Sequence, residues 1–184
     1  ETLQFLFCMK LKYPDCITLL RGRYELRSTS QCYGLFDQCL KRYGNSSVWN
    51  SMVKVFPYIP SAAVVDDHIF CVPGGLSYDG PTLDRLRVLD RTYESEGLPL
   101  SEFVDLMLSD PEDVTTWELS SRGAGWYFGE PQVDEFFYLN NLKFMTRGLQ
   151  FTQDGHQYWF NKKLLTIISC PNILFRFENP GCVA

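Results

Sequence analysis

Apolar residues recur near helical spacing over residues 1–12, at Leu3, Leu6, Phe7 and Met9, and Tyr13-Pro14-Asp15 then stops the predicted helix. The β-branched and leucine run that follows, Ile17, Thr18, Leu19 and Leu20, predicts a strand. Helical patterns resume over 29–43, closed by Gly44, and over 47–56. The second sits behind the capping side chains of Asn45-Ser46-Ser47 and ends before Pro57 and Pro60. Two short β-rich runs, 62–65 and 69–72, bracket Asp66-Asp67 and read as a hairpin that ends at Pro73-Gly74-Gly75.

Proline is tolerated at the first helical position, so Gly80-Pro81 opens a short helix whose Leu83, Leu86 and Leu89 form an inward stripe. Residues 93–98 read as a polar linker, 102–108 as amphipathic, and 109–113 as a turn rich in capping side chains. A long loop then reaches Trp117. A helix over 132–140 and strands over 144–149, 157–160 and 164–169 complete the pattern. Helices mixed with mainly C-terminal strands predict a layered α/β or α+β domain.

Composition narrows this. The chain has 184 residues, 45% hydrophobic and 15% aromatic, which is enough for one packed domain and short for two, so a single domain over 1–184 is expected. Charged residues make up 21%, and no apolar run approaches the ~18 residues of a membrane span, so disorder and membrane insertion are both disfavoured. The first apolar stretch follows Glu1 without a basic segment, which argues against a secretory signal. Cys8, Cys16, Cys32, Cys39, Cys71, Cys170 and Cys182 are odd in number and form no C-x-x-C pair, so reduced thiols in the cytoplasm or nucleus are expected. A net charge of −5 supplies no broad basic field for nucleic acid.

Few residues offer chemistry by themselves. Arg21, Arg23 and Arg27 form either a small anion site or, as expected, a solvated face. Asp66-Asp67-His68 has ligand-type side chains at short spacing, yet a polar hairpin turn accounts for it, and His156 sits in an exposed turn after Asp154-Gly155. Cys71 and Cys170 lie at strand ends in apolar surroundings and are expected to be buried, inert thiols. Ser77, Ser109 and Ser169 have no histidine in a nucleophile motif, and Trp126, Tyr127 and Phe128 read as core. Asn45-Ser46-Ser47 matches a glycosylation acceptor, which means little without an export signal.

Five ordered segments carry a more specific signal: Leu19-Leu20-Arg21-Gly22-Arg23-Tyr24-Glu25, Ile69-Phe70-Cys71-Val72-Pro73-Gly74-Gly75, Leu108-Ser109-Asp110-Pro111-Glu112-Asp113, Ser121-Arg122-Gly123-Ala124-Gly125-Trp126 and Leu165-Thr166-Ile167-Ile168-Ser169-Cys170-Pro171-Asn172. Together they resemble the serine/threonine phosphoprotein phosphatases of the type-2A subgroup. The stretch 110–128 and Asn140-Asn141-Leu142-Lys143 are similar to protein phosphatase six. The resemblance covers the whole chain as the C-terminal two-thirds of a catalytic domain. It implies a calcineurin-like metallophosphatase fold, a central β-sandwich flanked by helices, here without the N-terminal strands, whose absence would expose strand edges.

In that family two divalent metals activate a bridging water and stabilise in-line displacement at a phosphate monoester. The resemblance puts Arg23 where a ligand asparagine belongs and Tyr24 where the general-acid histidine belongs. Pro73 and Leu149 fall at two ligand histidines, and Ile173 at a conserved tyrosine of the family motif. A guanidinium, a pyrrolidine and an isobutyl group do not ligate cations. Arg122 alone matches a phosphate-gripping residue, although an arginine in a glycine-rich loop equally suits carbonyls or a carboxylate. The expectation is a pseudophosphatase without a metal cofactor, at most a binding or scaffold protein for regulatory subunits or phosphoproteins. The alternative is an active phosphatase with two divalent ions of the manganese, iron or zinc type, if the site is rebuilt. A third reading is a relic of a decaying gene.

Overall fold

The expected first helix forms as α1 (Thr2–Lys12) in the computed structural model, which describes residues 1–90 and 102–184. The helix expected over 29–43 is two, α2 (Arg27–Cys32) and α3 (Leu35–Tyr43), because Gly34 takes a left-handed φ of 95° between them. Gly44, at φ 72°, closes α3 with its N–H on Leu40 O. Next, α4 (Ser47–Val55) opens where Asn45 Oδ1 accepts from Ser47 N at 2.9 Å, and it runs into a single 3-10 turn at Phe56–Tyr58. Cys39, Trp49, Met52, Val53, Phe56 and Ile59 form one buried cluster between these helices, flanked by Leu3, Phe7, Leu19 and Phe36.

The strand expected at 17–20 does not form. Leu19 packs on the helical cluster, and among the described residues no strand is offered to the backbone of this run. A strand exists only with a partner, so β propensity alone does not make one.

The hairpin forms as β1 (Ala63–Val65) and β2 (Ile69–Cys71), with Asp66 and Asp67 at left-handed φ of 51° and 58° in the turn. Thr82 caps α5 (Leu83–Arg87), accepting from Arg85 N. The amphipathic run is α6 (Glu102–Leu108), and the predicted linker at 93–98 lies outside the described residues. Three very short strands follow, β3 (Asp110–Pro111), β4 (Glu118–Leu119) and β5 (Trp126–Phe128), then α7 (Glu130–Asn140). The tail supplies β6 (Phe144–Arg147), β7 (His156–Trp159) and β8 (Leu164–Ile167). Among the described residues no helix is long and apolar enough to cross a membrane.

Two sheets result, a larger one in the order β1-β2-β6-β8-β7 and a smaller one in the order β3-β5-β4. In the larger sheet β2, β6 and β8 are parallel, and their register aligns Phe70 with Met145 and Met145 with Leu164, all at 1% exposure or less. Val133, Phe136 and Phe137 of α7 close over that row, and Phe128 of the smaller sheet enters the same core. Each fully buried phenylalanine of this kind stabilises the fold by about 1.5–3 kcal/mol. Side chains alternate along a strand, so Arg147 shares the face of Met145 and arrives at the end of the sheet beside the loop after β2. Gly74 in that loop has no room for a side chain: an added Cβ would stand 2.5 Å from the Met107 carbonyl carbon.

Candidate functional site

The strand ends meet around one carboxylate. Asp110, on β3, accepts from Arg147 Nη2 at Oδ1 and from Arg122 Nε at Oδ2, each at 2.6 Å. Arg122 reaches it from the loop between β4 and β5, whereas Arg147 comes from the end of β6 in the other sheet. The Arg147 side chain is fully buried and its other donors are taken: Nε by Gly74 O, Nη2 also by Ser109 O at 3.2 Å, and Nη1 by Gln150 Oε1 at 3.1 Å. Burial pulls its pKa down to about 10, opposed by the Asp110 charge, so it stays protonated at neutral pH.

Arg122 differs in being partly open, with 29% of its side chain exposed. Its loop is pinned at Ser120 Oγ, which accepts from Arg122 N at 3.2 Å, and at Tyr127, whose hydroxyl lies 2.5 Å from Ser121 Oγ. Hydrogen bonds from Ser121 hold the Tyr127 phenol below its ordinary pKa. The arrangement can present the outer edge of a guanidinium, fixed by a buried carboxylate behind it, to an anion in solution.

Pro73 and Leu149 come together, because Gly148 N donates to Pro73 O at 3.1 Å between the two loops. Leu149 holds a left-handed φ of 68°, a conformation that costs an L-residue with a branched side chain about 1–2 kcal/mol. Arg23 and Tyr24 belong to a separate group: the Arg23 guanidinium lies over the rings of Tyr24 at 5.5 Å and Tyr33 at 5.9 Å. Tyr24 itself is 51% exposed. Ile173 lies in a short 3-10 turn near the C-terminus. Among the described residues no group of three histidine, cysteine, aspartate or glutamate side chains could hold a metal ion. The donors actually gathered here are two guanidiniums on one carboxylate, and they do not fit a dinuclear metal centre.

Several expectations change. Arg21 is not on a solvated face: it is completely buried, donates from Nε to Glu25 O at 2.8 Å and lies 5.2 Å over the Phe103 ring. Only Arg27 of the three is well exposed, stacked 4.8 Å over Trp49. Cys170 is exposed and Cys71 half-buried, since the loop after β8 turns outward and β2 ends near the surface. Phe128 is core, but Trp126 is only half-buried and stacks on Tyr78 at 5.0 Å. His156 is exposed as expected. Asp110 lies inside the motif 108–113 and Arg147 two residues before Leu149; opposite charges flanked by apolar runs are the signal in the sequence that marks them.

A fold of two sheets with its polar residues converging at strand ends defines a class. Residues 1–148 match the family model of the calcineurin-like phosphoesterases, and the chain belongs to that family. It is similar along its whole length to serine/threonine-protein phosphatase sitA of Aspergillus fumigatus, 44% identical, covering 47% of that protein. Serine/threonine-protein phosphatase ppe1 of Schizosaccharomyces pombe is 45% identical with 60% covered, and the serine/threonine-protein phosphatase 4 catalytic subunit of Saccharomyces cerevisiae is 43% identical with 59% covered. A solved protein serine/threonine phosphatase from Saccharomyces cerevisiae, with similarity to human phosphatase PP5, superposes on 96% of this chain and 55% of its own at TM-score 0.87 and 27% identity. The chain thus spans about half to three-fifths of the length of these relatives.

Proposed function

We propose that these 184 residues form a phosphatase-derived binding module that carries out no metal-dependent phosphoester hydrolysis of its own. The observation that carries this reading is the donor set: Arg23, Pro73 and Leu149 stand where the family resemblance places ligands, and the strand ends are knit by the Arg147–Asp110–Arg122 ion triad. A missing acid-base or electrostatic group costs about 10²- to 10⁴-fold in rate, but losing the metals removes the nucleophile itself. Arg122, held from behind by Asp110, offers its open edge to a phosphorylated protein. Regulatory or scaffold subunits of phosphatases are the other partner class, in keeping with relatives named as catalytic subunits. Seven free thiols support a reducing compartment, the cytoplasm or nucleus.

The test is hydrolysis of a phosphothreonine peptide with added manganese, with bound metal measured on the same sample and Arg122→Ala as control. The proposal expects neither turnover nor stoichiometric metal from folded protein. Turnover with bound metal, lost in Arg122→Ala, would establish the second reading, an active serine/threonine phosphatase, which the 42–45% identity to such enzymes and the intact Arg122 segment favour.

A further inference from the structure

One edge of the larger sheet is built to take another strand. β1 pairs with β2 on one side, and among the described residues no strand meets its other side. Val64 and Val65 on this strand are 37% and 45% exposed. Alongside runs a groove of about 430 Å³ between β1 and α5, walled by Leu83, Leu86 and Leu89 and floored by the core residues Phe70 and Leu106.

The two features specify the occupant. A free strand edge presents N–H and C=O groups in a row, and another extended backbone satisfies such a row along its length. A strand laid there would send every second side chain towards the groove, whose walls are leucines. The groove also has a polarity. Asp67 lines it at the hairpin turn and has no ion-pair partner among the described residues, while Arg87 is already taken by Asp84 at 2.6 Å. The uncompensated charge is therefore negative.

We propose that the groove between β1 and α5 binds an extended polypeptide segment as an added strand, apolar at alternate positions and carrying a lysine or arginine where it passes Asp67. Main-chain pairing supplies most of the affinity and the leucine wall selects the alternating pattern. The site lies on β1 and α5, whereas the Arg122 loop lies between β4 and β5, so it stands or falls independently of any phosphate chemistry.

The probe is a blocked, fluorescently labelled hexapeptide, Val-Thr-Val-Thr-Val-Lys, with two companions: one N-methylated at alternate amides, and one ending in threonine. Binding to the whole chain is read by anisotropy, the site by amide shifts in heteronuclear NMR, and self-association by sedimentation. Saturable binding is expected, with shifts centred on residues 63–65 and 83–89. N-methylation should weaken it about tenfold or more, since each lost main-chain hydrogen bond is worth about 1 kcal/mol. Asp67→Asn, which keeps a residue tolerant of the left-handed turn, should weaken the lysine peptide about threefold and leave the threonine peptide unchanged. Equal binding of the N-methylated peptide, shifts elsewhere, or no binding at millimolar concentration by folded protein would overturn the proposal. So would a dimer that buries the β1 edge and is not displaced by peptide, because the occupant would then be a second copy.

Discussion

Arg147 Nη2 holds the Ser109 carbonyl and the Asp110 carboxylate at once, at 3.2 and 2.6 Å, and so ties the last residue of β6 to the first residues of the smaller sheet. Both side chains of the ion pair are at 3% exposure or less. A buried pair of this kind is costly to halve. Removing one partner strands an uncompensated charge away from water, at about 3–5 kcal/mol.

Asp110→Ala should therefore lower the unfolding free energy by about 3–5 kcal/mol, measured by urea denaturation. Arg122→Ala removes only the partly exposed partner of the same carboxylate and should cost about 1 kcal/mol. Equal losses from the two variants would mean that the buried Arg147–Asp110 pair adds nothing beyond the Arg122 one.

Asp105 gives a pH dependence with a definite sign. Burial raises its pKa above the ordinary aspartate value, the hydrogen bonds from Ser77 and Trp126 oppose that, and the charges of Asp79 and Glu102 add to it. The folded state thus binds its proton more tightly than the unfolded chain does. Its contribution is fully present below the unfolded pKa and is lost as pH rises through the raised folded one. Wild type should gain stability over Asp105→Asn on going from about pH 7 to about pH 4, read as the difference between paired urea curves. A difference that shrinks on acidification would reverse the assigned sign.

Leu149 should be easier to replace by glycine than a half-buried leucine normally is. Its φ of 68° costs about 1–2 kcal/mol for a residue with a Cβ, and glycine adopts that conformation freely. Leu149→Gly should be neutral or stabilising by about 1 kcal/mol after the lost packing, while Leu149→Val should be destabilising. Thermal denaturation of the two variants side by side checks the order.

Divalent metal should leave the protein indifferent. A ligand that binds only the folded state stabilises it by about 2.7 kcal/mol at a hundredfold excess over its dissociation constant. Manganese at millimolar concentration, or its removal with a chelator, should shift the melting temperature by less than about 1 °C. A rise of several degrees with manganese, reversed by chelation, would mean that metal ligands have been assembled after all.

Much of this was legible in local pattern. The hairpin at Asp66-Asp67, the proline stops at Pro57 and Pro60, the glycine end at Gly44 and the stripe of Leu83, Leu86 and Leu89 all act within a few residues, and all hold. Failures came where the decisive contact is remote. The run at 17–20 has strand chemistry but no strand beside it among the described residues, and β3 and β4 are two residues long, too short to show a period. Arg122 was visible from its motif. Its dependence on Asp110 was not, nor was the link from Asp110 to Arg147, which spans 37 positions of sequence. Arg21 read as surface because arginine usually is; a ring beneath it and a carbonyl at its Nε made the interior tolerable.

The first helix carries a different consequence. None of the residues of α1 is buried, and Phe5 and Leu11 stand 62% and 83% exposed. Leu3 and Phe7 pack α1 on the helical cluster, so the positions that can be recoded at little cost to folding are the exposed Phe5 and Leu11, while Asp110 and Arg147 cannot be. Selection acting through the stability of these residues alone would let Phe5 and Leu11 vary like a clock while the Asp110–Arg147 pair stays fixed.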